Sequence, residues 1–391
     1  MKRNQPRHLK VETLETRRLM AVSSVTLSSG ILRIAMDNSG GEVRTYTSSP
    51  NLVVQDNSPI KGFQLRTPTW TFKSTSVTKI EFTGGNGDDT FINDAFKPVL
   101  AHGGPGNDYL EGGNANDVLY GGGGKDTLKG YGGNDVLFGG GLNDVDTLYG
   151  GSGMDRFLTQ PGDVVKDGNG LNKRKGEDAQ LHFVNSNSAW TDREIEVMDE
   201  AFRQLFQATG NNRLLKDSGT DNVLTFTKAI IPSSKPGVVI HGDNTSPYQK
   251  NDVWYSGPWY NPTKHIDKRT VPRQIRMNEW NESGSLVSSS NKKAIETMIH
   301  EIGHNWDSVD EGNPFFASFM SLSGWSSTNP AGKTHYVSGD GQWYYAKKAA
   351  SGFFGGKVPT SSGNSLTYGK FNPREDFATA WETYFKNKQS T

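Results

Sequence analysis

Residues 103–138 read GGPGNDYLE, GGNANDVLY, GGGGKDTLK and GYGGNDVLF, a repeat with a period of nine residues. Each copy begins with Gly and carries Asp at its sixth position and Leu at its eighth. Related copies occupy residues 84–92 and 150–158, and a copy with two extra residues begins at Gly139. Such a repeat decides the fold, because each unit can bury its apolar residue only by stacking on its neighbours.

The composition of the repeat predicts both its backbone and its ligand. The Gly-rich first six residues allow a tight turn with positive φ and exposed carbonyls, and the last three form a short strand whose central Leu or Phe points inward. Stacked turns bring each Asp beside the carbonyls of neighbouring turns, which is the all-oxygen environment that Ca²⁺ prefers. A flexible linker rich in Gly and Asp is the alternative, but it does not account for the phased Leu and Phe.

The repeat resembles the RTX, or haemolysin-type, calcium-binding β-roll over residues 84–159. The resemblance implies several structural Ca²⁺ ions with these carboxylate ligands: Asp89, Asp108, Asp117, Asp126, Asp135, Asp144 or Asp146, and Asp155. The two-residue insertion leaves Asp144 and Asp146 as alternatives for one position. We expect this segment to fold only with Ca²⁺, because its carboxylates repel one another and its few apolar residues cannot hold a core alone.

A second motif, HEIGH, occupies residues 300–304 within a run of helical periodicity. Positions four apart lie on one face of a helix, so His300 and His304 can bind one Zn²⁺, while Glu301 faces the metal-bound water as a general base. The run offers N-caps at Ser288, Ser289 and Ser290, and its apolar residues are Ala294, Ile295, Met298, Ile299 and Ile302. A core helix whose His residues only form hydrogen bonds is the alternative.

An open catalytic zinc site needs a third protein ligand. Asn305, Trp306 and Asp307 follow His304 without a further His, which excludes the metzincin pattern. The remaining candidates are carboxylates: Asp307, Asp310, Glu311, Glu375, Asp376 and Glu382. Asp307 lies too near His304 on the same helix to reach the ion, but it is placed to hydrogen-bond a ligand. A ligand from a separate helix is expected, and residues 373–385 have the pattern of one.

Three segments together resemble the catalytic domain of the anthrax toxin lethal factor-like zinc peptidases: HEIGHNWD at 300–307, LTYG at 366–369 and EDFATAW at 375–381. The resemblance implies a zincin-like fold in which His300, His304 and Glu375 bind one catalytic Zn²⁺. It also implies that Glu301 is the general base and that Tyr368 donates a hydrogen bond to the developing oxyanion. Thr379 replaces the family's second Glu in the last helix, and the stretch between the motifs is longer here.

The rest of the chain is divided by its local patterns. Residues 24–83 form a small β module with strands expected at 25–34, 42–47, 52–56, 70–72 and 77–82. Residues 160–178 form a polar linker, and 179–391 form the catalytic domain. In that domain a capping box at Thr191 begins a helix that ends at Gly210, strands are expected at 223–227, 238–240 and 274–277, and residues 253–260 form an aromatic loop. The strand at 274–277 is expected at a sheet edge that binds extended peptide.

Composition excludes several classes of protein. The 391 residues carry 42 basic and 42 acidic side chains, which gives no indication of a nucleic-acid partner, and there is no Cys for disulfides or thiolate ligands. No apolar run reaches the length of a transmembrane segment. Residues 11–21 resemble the V-E-x-L-E-x-R-x-L-L-A leader of planctomycete surface and secreted proteins, and residues 1–23 are therefore a leader or, alternatively, a disordered basic arm.

The sequence thus predicts a multidomain protein: an N-terminal β module and a parallel RTX β-roll, followed by an α+β zincin-like metallopeptidase domain. The expected function is a secreted or cell-surface zinc metalloendopeptidase of the gluzincin type, acting on a protein or peptide substrate and stabilised by calcium. The alternatives are a non-catalytic calcium-binding surface or adhesion protein and a zinc amidase acting on cell-wall peptides. No pattern indicates an oligomeric state.

Overall fold

The computed structural model describes residues 21–58, 67–141, 144–166, 178–185, 189–215, 223–228, 242–245, 248–256, 263–271, 274–277 and 288–303, together with short strands between 325 and 367. Twenty-six strands and two α-helices are assigned in these residues. No helix among them is long and apolar enough to cross a membrane.

The first strands are β1 (Val22–Ser28), β2 (Ile31–Met36), β3 (Gly41–Ser48), β4 (Asn51–Asp56), β5 (Thr69–Lys73) and β6 (Lys79–Thr83). The strands expected at 42–47, 52–56, 70–72 and 77–82 are confirmed to within two residues. The single strand expected at 25–34 is wrong, because β1 and β2 pair as an antiparallel hairpin. Ser29 and Gly30 form its turn with φ of 53° and 82°, which a continuous strand does not allow.

The repeats form the strands β7 (Asp89–Asp94), β8 (Val99–Pro105), β9 (Tyr109–Gly113), β10 (Val118–Gly123), β11 (Thr127–Gly132), β12 (Val136–Phe138), β13 (Thr147–Ser152), β14 (Arg156–Thr159) and β15 (Val164–Val165). Successive strands alternate between two sheets, so each strand pairs in parallel with the strand two places along the chain. Leu110 accordingly aligns with Leu128, and Val118 aligns with Val136. The parallel β-roll expected from the nine-residue period is confirmed.

One apolar residue from each repeat points into the space between the two sheets. This row is fully buried and consists of Phe91, Leu110, Leu119, Leu128, Leu137, Leu148 and Phe157. The N-terminal strands share the same core through Leu32, Ile80 and Phe82, because β3 pairs with β7 and β6 pairs with β8, both in parallel. Residues 21–58 and 67–83 therefore extend the roll and supply apolar surface that the Gly-rich repeats lack.

One of the two sheets continues beyond the repeats. Strand β14 pairs in parallel with β16 (Ala179–Asn185), which pairs with β17 (Val223–Lys228), which pairs with β21 (Gln274–Met277). Strand β18 (Gly242–Thr245) then pairs antiparallel with β21 and completes an eleven-stranded sheet. The strands expected at 223–227 and 274–277 are confirmed. The edge position expected for residues 274–277 is wrong, since β21 lies between β17 and β18.

Two helices, α1 (Asp192–Thr209) and α2 (Ser289–Gly303), pack on the outer face of this sheet and against each other. The capping box of α1 is confirmed: Glu194 N donates to Thr191 Oγ1 at 3.2 Å, and Thr191 N donates to a Glu194 carboxylate oxygen at 3.0 Å. The expected end at Gly210 is also confirmed, with a φ of 70°. At the start of α2, Ser288 Oγ accepts a hydrogen bond from Asn291 N at 3.2 Å.

The shared sheet is buried on both of its faces where it passes from the roll to the helices. In β12, Leu137 points into the roll core, whereas Val136 and Phe138 belong to the core formed with α1 and α2. This second core is centred on Phe183, whose ring lies 5.1 Å from that of Phe226, and on the buried Trp190. The roll and the helical layer therefore share one sheet. The expected linker at 160–178 contributes β15, and its residues 167–177 lie outside the described residues.

The remaining described strands form three small sheets. Strands β19 (Tyr248–Ser256) and β20 (Thr263–Val271) make an antiparallel hairpin. The aromatic loop expected at 253–260 is thus wrong for residues 253–256, which lie in β19. The other strands are β22 (Trp325–Ser326), β23 (His335–Val337) and β24 (Tyr344–Ala346), which pair together, and β25 (Lys357–Pro359) with β26 (Ser365–Thr367). The strand expected at 238–240 and the helix expected at 373–385 lie outside the described residues.

Candidate calcium and zinc sites

The sixth-position Asp residues of the repeats form two ladders, one along each edge of the roll. In both ladders the Oδ1 atom of each Asp accepts a hydrogen bond from a backbone N–H one coil earlier. The first ladder joins Asp89 N to Asp108 at 2.7 Å, Asp108 N to Asp126 at 2.7 Å and Asp126 N to Asp146 at 2.8 Å. The second joins Val99 N to Asp117 at 2.8 Å, Asp117 N to Asp135 at 2.8 Å and Asp135 N to Asp155 at 2.9 Å.

The other carboxylate oxygen of the ladder residues has a different environment. The Oδ2 atoms that are buried and find no hydrogen-bond donor in the described part of the chain are those of Asp108, Asp117, Asp126, Asp135 and Asp146. A buried carboxylate oxygen without a donor costs free energy, so a row of them indicates a ligand other than a protein donor. A cation supplies the missing positive charge.

Backbone carbonyl oxygens converge with these carboxylates at the first Gly of several repeats, namely Gly103, Gly121 and Gly130. A Cβ added to Gly121 would lie 2.2 Å from Asp126 Oδ2 and 2.5 Å from the carbonyl oxygen of Gly139 in the next coil. At Gly103 the corresponding distances are 2.2 Å to Asp108 Oδ2 and 2.6 Å to the carbonyl oxygen of Gly121. Only glycine leaves this space open. Its lining of carboxylate and carbonyl oxygens fits Ca²⁺, which takes six to eight oxygen ligands in flexible geometry.

The electrostatics of the ladders also favour a divalent cation. Burial raises the pKa of Asp108, Asp117 and Asp146 to about 7, against the partial opposing effect of the backbone N–H each accepts. Burial likewise raises the pKa of Asp126 and Asp135 to about 8, and the neighbouring ladder carboxylates add to this rise. Without a cation these groups are therefore held close to neutrality, and a bound Ca²⁺ stabilises their charged forms.

The structure places the remaining sequence-predicted calcium residues as follows. Asp89 is buried at the start of the first ladder, where its Oδ2 accepts a hydrogen bond from Gly85 N at 2.8 Å. Asp146 is a member of the ladder, whereas Asp144 lies outside it and accepts a hydrogen bond from Gly124 N at 2.5 Å. The two extra residues are thus accommodated in the turn before Asp146, so that Thr147 keeps its alignment with Thr127.

Two residues that the sequence analysis did not identify continue the ladders. Asp163 Oδ1 accepts a hydrogen bond from Asp146 N at 3.2 Å, and Asp178 Oδ1 accepts one from Asp155 N at 3.1 Å. Neither belongs to a Gly-rich nonapeptide. The sequence signal that could have identified these residues is an Asp directly before a short apolar strand, as in Asp163-Val164-Val165.

The last repeat is joined directly to the helical layer. Arg156, which follows Asp155, forms a buried ion pair with Asp199 of α1, with 3.2 Å between Nη2 and Oδ1. Asn212, just beyond α1, donates from its side-chain amide to the carbonyl oxygen of Asp155 at 3.3 Å. A second buried ion pair joins Glu194 of α1 to Lys228 of β17. The end of the calcium ladder and helix α1 are therefore held together by polar contacts within a shared core.

The expected helix for the HEIGH motif is confirmed over its first four residues. His300 and Glu301 lie in the last turn of α2 and are 7% and 6% exposed, while Ala294, Met298 and Ile302 are fully buried. His304, Asp307, Tyr368 and Glu375 lie outside the described residues. Within the described ranges no group of three or more His, Asp or Glu side chains is arranged to hold a metal ion. The roll sites do not depend on such a group, because they combine carboxylates with backbone carbonyls.

Comparison with known proteins gives one family. The model of the RTX calcium-binding nonapeptide repeat matches residues 102–137 and 111–146. No match was found among curated proteins or among solved structures. The chain thus contains RTX calcium-binding repeats over residues 102–146, and their matched positions coincide with the ladders, Leu row and glycine cradles described above. Repeats of this kind are typical of secreted proteins.

Proposed function

We propose that this chain is a secreted or cell-surface zinc metalloendopeptidase of the gluzincin type, whose calcium-binding roll stabilises the sheet beneath the catalytic helix. The observation that carries the proposal is the position of the HEIGH motif. Its first two residues, His300 and Glu301, are buried at the end of a helix whose apolar face packs on the shared sheet. An adjacent His and Glu at the end of a helix are the residue types that the H-E-x-x-H arrangement uses to bind Zn²⁺ and to activate its water.

In this proposal His300, His304 and Glu375 hold one Zn²⁺, which when bound acts as a Lewis acid and lowers the pKa of a coordinated water towards about 7. Glu301 accepts a proton from the attacking water and passes it to the leaving amine. Tyr368 donates a hydrogen bond to the oxyanion that develops on the peptide carbonyl. Asp307 hydrogen-bonds a zinc ligand and fixes its orientation.

The sheet supports a role for an extended peptide as the substrate. Among the described strands of the large sheet, β18 (Gly242–Thr245) is the terminal one at the end opposite β1, and it contacts α2. A peptide added to the outer edge of β18 would run beside the helix that carries His300 and Glu301. Main-chain hydrogen bonds to an edge strand bind peptides with little dependence on sequence, which suits an endopeptidase.

A non-catalytic calcium-binding surface protein is the second candidate. It is favoured by the family match, which covers the calcium repeats and no part of the HEIGH region. In that case the roll would be the functional module, and the helical layer would serve for attachment.

The experiment compares the full-length wild-type chain with Glu301→Gln, in Ca²⁺ and Zn²⁺, on an unstructured protein substrate. We expect the wild type to cleave it and Glu301→Gln to be slower by at least about 100-fold, because the general base is lost. Both should bind one zinc per chain. The matched control is Glu296→Gln on the same helix, where Glu296 lies 3.9 Å from Lys293 near the surface, and this variant should retain activity.

Three other outcomes contradict the proposal in different ways. If the wild type and Glu301→Gln each bind one zinc and neither cleaves protein, the binding module is the better account. If cleavage is confined to cell-wall peptides, the enzyme is a zinc amidase. If Glu301→Gln cleaves as fast as the wild type, the assigned base is wrong.

A further inference from the structure

We propose that a calcium site lies beyond the recognisable repeats, between Asp146 and Asp163. The family match ends at residue 146, and residues 160–163 read QPGD without the Gly pair that begins a nonapeptide. The site is independent of the zinc site and does not rest on the proposed function.

The backbone places Asp163 at the ladder position of the next coil. Strand β15 pairs in parallel with β13 so that Val164 aligns with Thr147. Val164 N donates to the carbonyl oxygen of Asp146 at 2.8 Å, just as Thr147 N donates to that of Asp126 at 2.9 Å. The chain therefore completes one more coil of the roll after the last nonapeptide of this edge, and Asp163 stands where Asp146 stands one coil earlier.

The carboxylate of Asp163 shares its Oδ1 contact with the other ladder carboxylates and its Oδ2 contact with Asp89. Its Oδ1 accepts a hydrogen bond from Asp146 N at 3.2 Å, as Asp146 does from Asp126 N at 2.8 Å. Its Oδ2 accepts one from Gln160 N at 2.7 Å, as Asp89 at the opposite end does from Gly85 N at 2.8 Å. Asp163 thus closes the first ladder at one end as Asp89 closes it at the other.

The independent indication of a ligand comes from Asp146. Its side chain is fully buried, and its Oδ2 finds no hydrogen-bond donor among the described residues. That oxygen points at the first Gly of its own turn, where a Cβ on Gly139 would lie 2.1 Å away. In earlier coils, such as the one that begins at Gly121, the corresponding space is lined by a ladder carboxylate and a carbonyl oxygen of the next coil. The unsatisfied carboxylate oxygen of the earlier coils therefore recurs at Asp146, in the last coil before Asp163.

Calcium is the cation that fits this interface. The charged groups available here are the carboxylates of Asp146 and Asp163, on turns of unequal length, since residues 139–146 carry the insertion and 160–163 are a shortened turn. Ca²⁺ tolerates irregular coordination by six to eight oxygens, whereas Mg²⁺ requires a near-ideal octahedron. A carboxylate that served only to cap the Asp146 N–H would leave Asp146 Oδ2 without a partner.

The test is the number of Ca²⁺ ions bound per full-length chain, measured by equilibrium dialysis for the wild type and Asp163→Asn. The Asn side chain keeps an oxygen to accept the Asp146 N–H but loses the charge. We expect Asp163→Asn to bind one fewer Ca²⁺ than the wild type. The control is Asp94→Asn, because Asp94 pairs with Arg44 on the surface at 2.5 Å and lies off the ladders, so its calcium count should not change.

A second variant distinguishes a calcium ligand at position 163 from a side chain that only accepts the Asp146 N–H. Asp163→Glu keeps the charge on a longer side chain, so it should restore the wild-type count with weaker affinity for the last ion. If Asp163 were only a cap, Asn would replace it better than Glu. A wild-type count with Asp163→Asn overturns the proposal. Failure of both variants to fold in excess Ca²⁺ also overturns it, because the loss of one terminal ion leaves the other sites of the roll intact.

Discussion

The glycine that begins each repeat offers a sharp test of the calcium cradles. We consider Gly121→Ala with Gly123→Ala as its matched control, two residues away in the same repeat. At Gly121 the new Cβ would lie 2.2 Å from Asp126 Oδ2 and 2.5 Å from the Gly139 carbonyl oxygen. At Gly123 it would meet nothing within 4 Å, and the residue aligned with Gly123 one coil earlier is Pro105, which already carries a side chain.

The expected magnitudes follow from these contacts. Both oxygens at Gly121 would have to retreat by about 1 Å to reach van der Waals distance, and one of them belongs to the backbone of the next coil. Overpacking of this kind costs about 1–3 kcal/mol, and the displaced oxygens are those that face the ion. Replacing Gly by Ala at an unstrained position stabilises a protein by about 0.4–1 kcal/mol through the unfolded chain. The two variants should therefore differ by about 1.4–4 kcal/mol, with opposite signs relative to the wild type.

The assay is urea unfolding at saturating Ca²⁺, together with the Ca²⁺ concentration at the midpoint of the circular dichroism change. Gly121→Ala should lower the free energy of unfolding and require more Ca²⁺, whereas Gly123→Ala should match or exceed the wild type. Equal effects of the two substitutions would show instead that the first Gly serves backbone flexibility rather than space for the ion.

Two further predictions concern the helical layer and the ladders. Asp199→Ala leaves Arg156 buried without its partner and should lower the free energy of unfolding by about 3–5 kcal/mol in urea titrations. Glu200→Ala on the same helix removes a surface pair with Arg203 and should lower it by less than about 1 kcal/mol. Similar values for both variants would show that the Arg156–Asp199 pair does not hold the roll to α1. Without Ca²⁺, the roll should lose stability as the pH rises from about 4 to 8. Folding raises the pKa of a ladder carboxyl, for example that of Asp117 from 3.8 to about 7, so the folded state is favoured only while this carboxyl is protonated. Complete ionisation of Asp117 should lower the free energy of unfolding by about 4 kcal/mol. Circular dichroism of the chain dialysed free of Ca²⁺, at pH 5 and pH 8, measures this, and a signal independent of pH would show that the ladder carboxylates are not desolvated.

Local patterns predicted the parts of the fold that local physics decides. The nine-residue period predicted the inward row from Phe91 to Phe157, and the capping box at Thr191 predicted the start of α1. The helical spacing from Ala294 to Ile302 predicted the buried face of α2. Each of these signals spans only a few residues, so it can be recognised without knowing which distant segments pair.

The features that the sequence did not predict depend on contacts between distant residues. The pairing of β14 with β16 crosses a polar, Gly-containing segment that resembles a linker, and only the register of Arg156 with Ala179 shows that the sheet continues. The edge position of β18 arises from pairing with a strand about thirty residues away, which no local pattern encodes. Asp163 was missed because its turn lacks the Gly residues of the repeat, although its backbone register is the same.

Because the sheet is continuous from the roll to the helical layer, we expect calcium binding in the roll and the ordering of helix α2 to belong to one cooperative fold. The claim rests on the joint of Arg156 with Asp199, on the sheet that passes from β14 to β21, and on the core in which Phe138 of the repeats packs with both helices. Binding of Ca²⁺ to the native state alone stabilises every element that unfolds with the roll.

Hydrogen exchange of the full-length chain, measured at increasing Ca²⁺ concentration, reports the opening of each segment separately. It therefore tests whether the roll and helix α2 become ordered together. Peptides from the roll strands and peptides covering 289–303 should gain protection from hydrogen exchange together, at the same Ca²⁺ midpoint. Asp199→Ala should separate the two midpoints. Full protection of residues 289–303 in chelator, with the roll exchanging freely, would contradict the account and show that the helix carrying His300 and Glu301 folds independently of calcium.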